Sequence, residues 1–340
     1  MKETETTSSA SEEINEFNGY ELYNTGMKSI PTLLYPLLQA TGLASVVGES
    51  DSGKSTFLRQ LAICIALNQK EFLGFELNGR TNKVIYVSTE DDPDSIRCTL
   101  KQQVDSILFD NKNADKKSLE NIKFIFDTHN LLENLKGKLK QDPVDLIIVD
   151  AFADVFDKEI NSNTQVRAFL NTYDQMAKAN KCLIIFLHHT TKTGSQKAPS
   201  KNSIIGSQGF EAKMRVVLQL IPEKGKMIPA KLIVLKANFL NSDDKSNGYN
   251  LEMSDKLIFK KVSTYKRTDE NNRESKPHTK SIPRSKDPNI LRQIKKFKAA
   301  GLTDRAIALK LEEQGIDISK STVNSIVLEN GFSATIPSKE

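Results

Sequence analysis

The sequence predicts an α/β fold built on a mostly parallel central sheet, followed by a small all-α unit. Unbroken apolar runs such as Leu146-Ile147-Ile148-Val149 and Cys182-Leu183-Ile184-Ile185-Phe186-Leu187 alternate with helix-patterned segments. Runs of this kind are strands buried on both faces, and interleaved helices imply parallel crossovers. Residues 48–56 read Gly-Glu-Ser-Asp-Ser-Gly-Lys-Ser-Thr, a G-x-x-x-x-G-K-[ST] phosphate loop between one such strand and a helix. From Val262 the chain turns polar and basic before a last helix-patterned stretch, which marks off a second unit.

Residues 1–20 are rich in Ser, Thr and Glu and predict a disordered acidic tail. Met27 to Leu38 carries two prolines and an apolar set that packs beside the first core strand, Leu43 to Val47. The pattern then predicts a helix over Thr56–Leu67, a strand over Val84–Ser88 and a helix over Asp94–Leu108. A short strand at Lys123–Phe126 and a helix at Leu131–Lys140 lead to the strand Leu146–Val149. A helix over Asn163–Ala179 precedes the strand Cys182–Leu187. Further strands at Val216–Ile221, Lys231–Lys236 and Leu257–Lys261 turn the sheet antiparallel at its late edge. The α/β domain thus spans 21–262, a basic linker 263–286 and a small helical domain 287–335. In that last domain Ile290, Leu291, Ile294 and Phe297 recur at helical spacing, and Thr303 caps a second helix with Ala306, Ile307, Leu309 and Leu311 as its apolar face. Ser319 or Lys320 opens a third helix, with Thr322, Val323 and Ile326 inward.

A chain of 340 residues exceeds one comfortable core. No stretch approaches the ~20 apolar residues of a membrane span. No basic segment precedes an apolar one at the N-terminus, so the expectation is a cytoplasmic protein. Cys64, Cys98 and Cys182 lack metal-ligand or C-x-x-C spacing and read as reduced core or near-core thiols. The net charge is +5, yet residues 261–340 carry 16 Lys+Arg against 10 Asp+Glu. That asymmetry fits either a segment that meets nucleic acid or a solvated linker.

The phosphate loop must turn its N–H groups inward, so Gly48 and Gly53 stand where a Cβ would block the approach. The helix N-terminus behind it adds a positive dipole end. Gly48, Glu49, Ser50, Asp51, Ser52, Gly53, Lys54, Ser55 and Thr56 are the candidates for binding ATP. Lys54 would reach the β- and γ-phosphates and the Ser55 hydroxyl would ligate Mg²⁺. Glu90 follows the next strand, where a carboxylate can face the γ-phosphate and deprotonate an attacking water. Asp150 ends an apolar strand, the position of an acid that holds the Mg²⁺ hydration shell. His188 and His189 end a third strand and are candidates for sensing the γ-phosphate. No Cys or third His accompanies them at metal-ligand spacing. The Gly-, Ser- and Lys-rich stretch from Ser195 to Gly209 reads as a mobile loop.

The order of Gly48–Thr56, Val84–Asp91, Leu146–Asp150, His188-His189-Thr190 and Val234-Leu235-Lys236-Ala237-Asn238 resembles the RecA-like AAA ATPases of the plasmid RepA helicase type, relatives of the DnaB and RadA groups. The resemblance covers about Lys28 to Lys261. It implies a RecA-like P-loop NTPase core, with Glu90 as catalytic base, Asp150 as the Walker B acid and His188 or His189 as γ-phosphate sensor. It further implies ring hexamers with ATP between subunits, Arg215 as an arginine finger and Lys236 as a second cation acting on the neighbour's site. In such a ring the 195–209 loop would touch single-stranded DNA. One departure is Ile205-Gly206-Ser207-Gln208-Gly209, which lacks the arginine often found there. The helical unit at the C-terminus is a second.

Asp287 to Phe332 resembles a helix-turn-helix of the resolvase or homeodomain-like kind, with Lys320, Ser321, Thr322 and Asn324 near the start of its third helix as contacts to duplex DNA. A protein-binding three-helix domain is the alternative. The basic linker would add non-specific phosphate contacts. The sequence and these resemblances therefore point to a DNA-acting, Mg²⁺-dependent ATPase, a ring-forming replicative helicase or DNA translocase of a plasmid or mobile element. An ATP-switched regulatory or partitioning protein is the second reading. A small-molecule kinase is disfavoured, because no arginine-rich lid follows Asp150.

Overall fold

The computed structural model describes residues 16–26, 29–111, 114–190, 204–205, 208–222, 230–267, 288–314, 316 and 318–332. Residues 1–15 of the expected tail, most of the 195–209 loop and residues 268–286 of the expected linker lie outside them. The chain divides into two units, 1–268 and 269–340.

The first unit runs α1 (Gly19–Asn24), β1 (Thr32–Tyr35), β2 (Leu38–Gln39), β3 (Gly42–Gly48), α2 (Lys54–Ala66), β4 (Glu71–Phe72), β5 (Phe75–Leu77), β6 (Val84–Ser88), α3 (Pro93–Asp110), β7 (Ile122–Ile125), α4 (Leu131–Gln141) and β8 (Leu146–Asp150). It continues through α5 (Phe152–Val155), α6 (Asn163–Ala179), β9 (Leu183–His189), α7 (Gln208–Lys213), β10 (Val216–Ile221), β11 (Ala230–Ala237), α8 (Ser242–Lys245), β12 (Asn247–Met253) and β13 (Phe259–Lys266). Nine strands form one sheet in the order β13-β12-β11-β10-β3-β9-β8-β6-β7. The six from β10 to β7 are parallel, and β11, β12 and β13 add antiparallel pairs. This is the predicted α/β class.

Both faces of the parallel sheet are covered, which is why its strands carry apolar residues without a break. Ala44 and Val46, Val84 and Tyr86, and Leu146 and Ile148 face the core that contains α2. Leu43 and Val47, Ile85 and Val87, and Ile147 and Val149 face the core that contains α4 and α6. The period of two along each strand sorts them.

Several expectations change. The Met27–Leu38 segment packs in one core with Ala44 and Val46 of β3 as expected, but its strands belong to a second antiparallel sheet, ordered β2-β1-β5-β4. Its strands of two to four residues are too short to carry a period. Strand β12 is not among the strands expected from the sequence, since Asn247, Gly248 and Asn250 are poor strand formers. Gly248 lies opposite Tyr265, and a Cβ there would fall 2.4 Å from the Tyr265 ring. The missing side chain makes room for that ring. Pairing with β12 also carries β13 to Lys266, so residues 263–266, expected as linker, are strand. At the N-terminus Asn18 and Glu21 form a capping box that starts α1 inside the expected tail. Cys98 is exposed on α3, whereas Cys64 and Cys182 are buried.

The second unit contains α9 (Pro288–Ala299), α10 (Asp304–Glu312) and α11 (Lys320–Asn330). Each packs on the other two around Ile290, Ile294, Ile307, Leu311, Ile318, Val323, Ile326 and Val327. The Thr303 hydroxyl accepts from Ala306 N and starts α10, and Ser319 accepts from Thr322 N and starts α11. Leu309, expected on the inner face of α10, is 55% exposed, because the helix turns that position away from Ile307 and Leu311. Among the described residues no helix is long and apolar enough to cross a membrane.

At the end of the main sheet opposite the phosphate loop, the buried Asp145 Oδ2 accepts from Arg80 N, Thr81 N and Asn82 N at 3.0, 2.9 and 2.8 Å. Its other oxygen pairs with Arg80 Nε at 3.5 Å. Replacing Asp145→Ala strands these donors, and the expected loss is about 3 kcal/mol of unfolding free energy by urea titration. A loss under about 0.5 kcal/mol, the size of an ordinary surface change, would show that the turn at 79–82 holds without it.

Candidate functional site

Register puts the candidate residues on one edge. Strands β3, β9, β8 and β6 run parallel, with Gly48 opposite His189 and Ser88 opposite Asp150. The loops that follow these four strands therefore open at the same end of the sheet, where open α/β sheets bind ligands.

The first loop, residues 49–53, wraps the start of α2. A Cβ on Gly48 would lie 2.4 Å from Leu220 O and 2.7 Å from Ser52 Oγ, so only glycine fits. Gly53 has φ +83°, and a Cβ there would meet Phe259 Cζ at 2.9 Å. Asp51 also takes a left-handed conformation. Lys54 is buried, and its Nζ donates to Glu49 O at 2.5 Å and to Ser52 Oγ at 3.4 Å. Burial holds its pKa below the usual lysine value, opposed by the carboxylates of Glu90, Asp150, Asp51 and Glu49. Lys54 thus bridges the loop that it would share with phosphate oxygens. Ser55 and Thr56 continue the first turn of α2.

Asp150 is buried at the end of β8. The Tyr86 phenol, on the neighbouring strand β6, donates to Asp150 Oδ2 at 2.6 Å. Burial pushes the Asp150 pKa up, countered by the hydrogen bond from Tyr86 and by the nearby Ser55 hydroxyl. Burial and the nearby Asp150 carboxylate hold Tyr86 well above its ordinary range, so it stays a donor. The other oxygen, Asp150 Oδ1, is buried and makes no hydrogen bond. An unpaired carboxylate oxygen beside the Ser55 hydroxyl suits a hard cation such as Mg²⁺ or its water shell. No three His, Cys, Asp or Glu residues converge among the described residues. Mg²⁺ keeps waters and substrate phosphates as ligands and needs no such cage. Thr89 fastens the strand ends together: its N donates to Asp150 O at 2.7 Å, and its hydroxyl accepts from Ala151 N at 2.9 Å.

The two histidines part. His188 follows the parity of Ile184 and Phe186 into the core on the α6 side, with its ring 5.1 Å from Phe152 and 4.6 Å from Phe210. Its Nε2 is 2.8 Å from Ile205 O, and burial lowers its pKa to about 4. His189 takes the opposite parity, and its Nε2 lies 3.4 Å from Glu90 Oε1. Glu90 is half exposed at the mouth of the site. Its neighbour Asp91 lies 3.7 Å from Arg59, a buried guanidinium on α2 whose Nε donates to Gln103 Oε1. Tyr86, Thr89 and Arg59 were missed in the sequence. Tyr86 shares the strand parity of Ser88, but its bond to Asp150 depends on pairing between distant strands.

Arg215 and Lys236 lie elsewhere. Arg215 N donates to Leu43 O, and Val216 pairs with Ala44, near the start of β3. Five residues of strand separate that level from Gly48, about 16 Å at about 3.3 Å per residue. Arg215 is exposed there and cannot serve its own phosphate loop. Lys236 is half-buried, with its Nζ donating to Glu211 O at 2.8 Å and paired with Glu211 Oε1 at 3.3 Å. It is engaged with α7, where the resemblance implied a cation directed at a neighbour. In the second unit Lys320, Ser321 and Asn324 are exposed on α11, while the Thr322 hydroxyl sits 2.8 Å from Ser319 Oγ within the helix cap. Of Ile205-Gly206-Ser207-Gln208-Gly209, residues 206 and 207 lie outside the described residues.

A family model described as an AAA domain matches residues 20–195. A solved structure described as an ATPase domain aligns with a TM-score of 0.52 at 12% identity, covering 72% of this chain and 96% of that one. At that identity the likeness is one of fold, the RecA-like P-loop core. No curated protein matches the sequence.

Two outcomes follow from this geometry. Gly48→Ala should lower affinity for a fluorescent ATP analogue at least roughly tenfold, because the Cβ displaces Leu220 or the loop. Unchanged affinity would mean the loop does not cradle phosphate. His188 has a folded pKa of about 4 against an ordinary 6.5, so the unfolded chain binds more protons between those values. Stability should therefore fall as pH drops from 6.5 to about 4, by up to about 3 kcal/mol from this group. His188→Gln keeps a donor and should flatten that part of the pH–stability curve. An identical curve would place the titration elsewhere.

Proposed function

The chain belongs to the AAA domain family over residues 20–195, and from that premise we propose that it is a Mg²⁺-dependent ATPase acting on DNA as a ring-forming helicase or translocase. The observation that carries the reading is the meeting of Lys54, the unpaired Asp150 Oδ1 and Glu90 at one edge of the sheet. Lys54 and the N–H groups of residues 49–55 bind the phosphates. Ser55 and Asp150 would hold Mg²⁺, which would supply positive charge against the charge that builds on the transferred phosphoryl group. Glu90 takes a proton from water as the water oxygen bonds to the γ-phosphorus. The bond from that phosphorus to the β,γ-bridging oxygen breaks, and ADP leaves. His189, 3.4 Å from Glu90, is the γ-phosphate sensor in this reading. His188 serves the core instead. Arg215 completes the site of a neighbouring copy, since its distance from its own loop leaves no role there. Lys236, as the second cation acting on the neighbour's site, would have to leave Glu211 to do so.

The second reading, an ATP-switched regulatory or partitioning protein, draws on the separate three-helix unit, whose α11 residues Lys320, Ser321, Thr322 and Asn324 are candidates for duplex contacts. Directional strand displacement by the full chain separates the two. A switch binds and assembles without displacing a strand.

Glu90→Gln should cut single-stranded-DNA-stimulated hydrolysis by about 100-fold or more while keeping ATP affinity. Hydrolysis that survives this change would remove Glu90 as the base. Arg215→Ala should cut hydrolysis by about 1,000-fold. Mixing it with Glu90→Gln should recover activity, since an intact Arg215 from one variant then faces an intact Glu90 of the other. No recovery would exclude action between copies.

A further inference from the structure

The positive charge of the C-terminal part is not where the proposed recognition helix is. Residues 275–298 carry eight Lys and Arg against one carboxylate, Asp287. Residues 299–340, which include α10 and α11, carry four Lys and Arg against six Asp and Glu. Helix α11 itself holds one cation, Lys320, and one anion, Glu329. Helix α9 holds Arg292, Lys295, Lys296 and Lys298 and no carboxylate.

The helix sorts these four cations. Lys298 is partly buried and pairs with Asp304 at 2.7 Å. Arg292, Lys295 and Lys296 are exposed, and none has a carboxylate partner among the described residues. Their spacing, i, i+3 and i+4, puts them within an arc of about 100°. Ile290 and Ile294, which enter the unit's core, lie on the opposite side. Three like charges on one turn and a half repel one another by a few tenths of a kcal/mol per pair. Core packing does not require them, and a polyanion would relieve them.

We infer that the exposed face of α9 grips the phosphate backbone of duplex DNA. This rests on the DNA-directed reading above and assigns a different surface from α11. Charge steering belongs to α9. Short polar groups on α11 are left for base edges, with little electrostatic share. A chain that releases counterions through α9 must show it in the salt dependence of binding, at about 0.9 in slope per phosphate neutralised.

The experiment uses the full chain without nucleotide and a labelled random-sequence duplex, with anisotropy measured across a salt series. The triple variant R292Q/K295Q/K296Q should lose about two to three in the slope of log affinity against log salt and roughly tenfold or more in affinity at low salt. Its thermal unfolding should stay close to wild type, since all three side chains are exposed and only Lys295 meets the unit's core, with its Nζ 6.0 Å from the Phe332 ring. A control, K101Q/K136Q/K178Q, removes the same charge from paired lysines of the first unit and should leave the slope within about one. An unchanged slope in the α9 variant, or an equal fall in the control, overturns the inference. A wild-type chain that does not bind duplex also overturns it, alone if single-stranded DNA still stimulates hydrolysis, and together with the DNA-directed reading if it does not.

Discussion

The ladder between β3, β9, β8 and β6 is the constraint on which the site depends. Backbone hydrogen bonds align Gly48 with His189 and Ser88 with Asp150, so four loops open at one level. A slip of one residue in any strand would turn its terminal side chain to the other face. Burial of both faces forbids that slip, because every strand residue from Leu146 to Asp150 is buried and the apolar ones alternate between the two cores. Packing energy spread over dozens of apolar side chains thereby holds a few polar atoms in place.

Those polar atoms are costly to bury and are matched accordingly. Lys54 is held by loop oxygens and by the field of four carboxylates. Asp150 gives one oxygen to Tyr86 and keeps the other unpaired. That unpaired oxygen is expensive in a core and is explained if a hydrated cation completes it. His188 takes the cheaper route, standing neutral among Phe152 and Phe210. Two adjacent residues of one type thus serve different purposes, separated only by strand parity.

The late hairpin roofs the phosphate loop. Gln60 Nε2 donates to Phe259 O at 3.0 Å, and Phe259 N donates back to Gln60 Oε1 at 2.7 Å. Gln103 of α3 donates to Thr56 O and Leu257 O. Phe259 then lies against Gly53. Through these bonds α2, α3 and the turn between β12 and β13 form one block. The Glu90–Asp91 loop meets it through Arg59, which ties the proposed base to the helix that carries Lys54.

Much of this was legible in the chain. The phosphate loop is a local motif, and strands buried on both faces announce themselves as unbroken apolar runs, so β3, β6, β8 and β9 and the acids after two of them were found without coordinates. Helices α6 and α11 were readable from period and caps. Sequence alone determined the fold class, the phosphate loop and the concentration of cations before and within α9. Tertiary structure alone decided what depends on pairing across distance: the Tyr86–Asp150 bond, the second small sheet, and the room that Gly248 leaves for Tyr265. It also decided which histidine faces Glu90 and that Arg215 lies at the far end of its strand from the phosphate loop. Local periodicity fixes which residues share a face of one strand. Only the ladder between strands fixes what that face meets, because its partners are separated by tens of residues of chain.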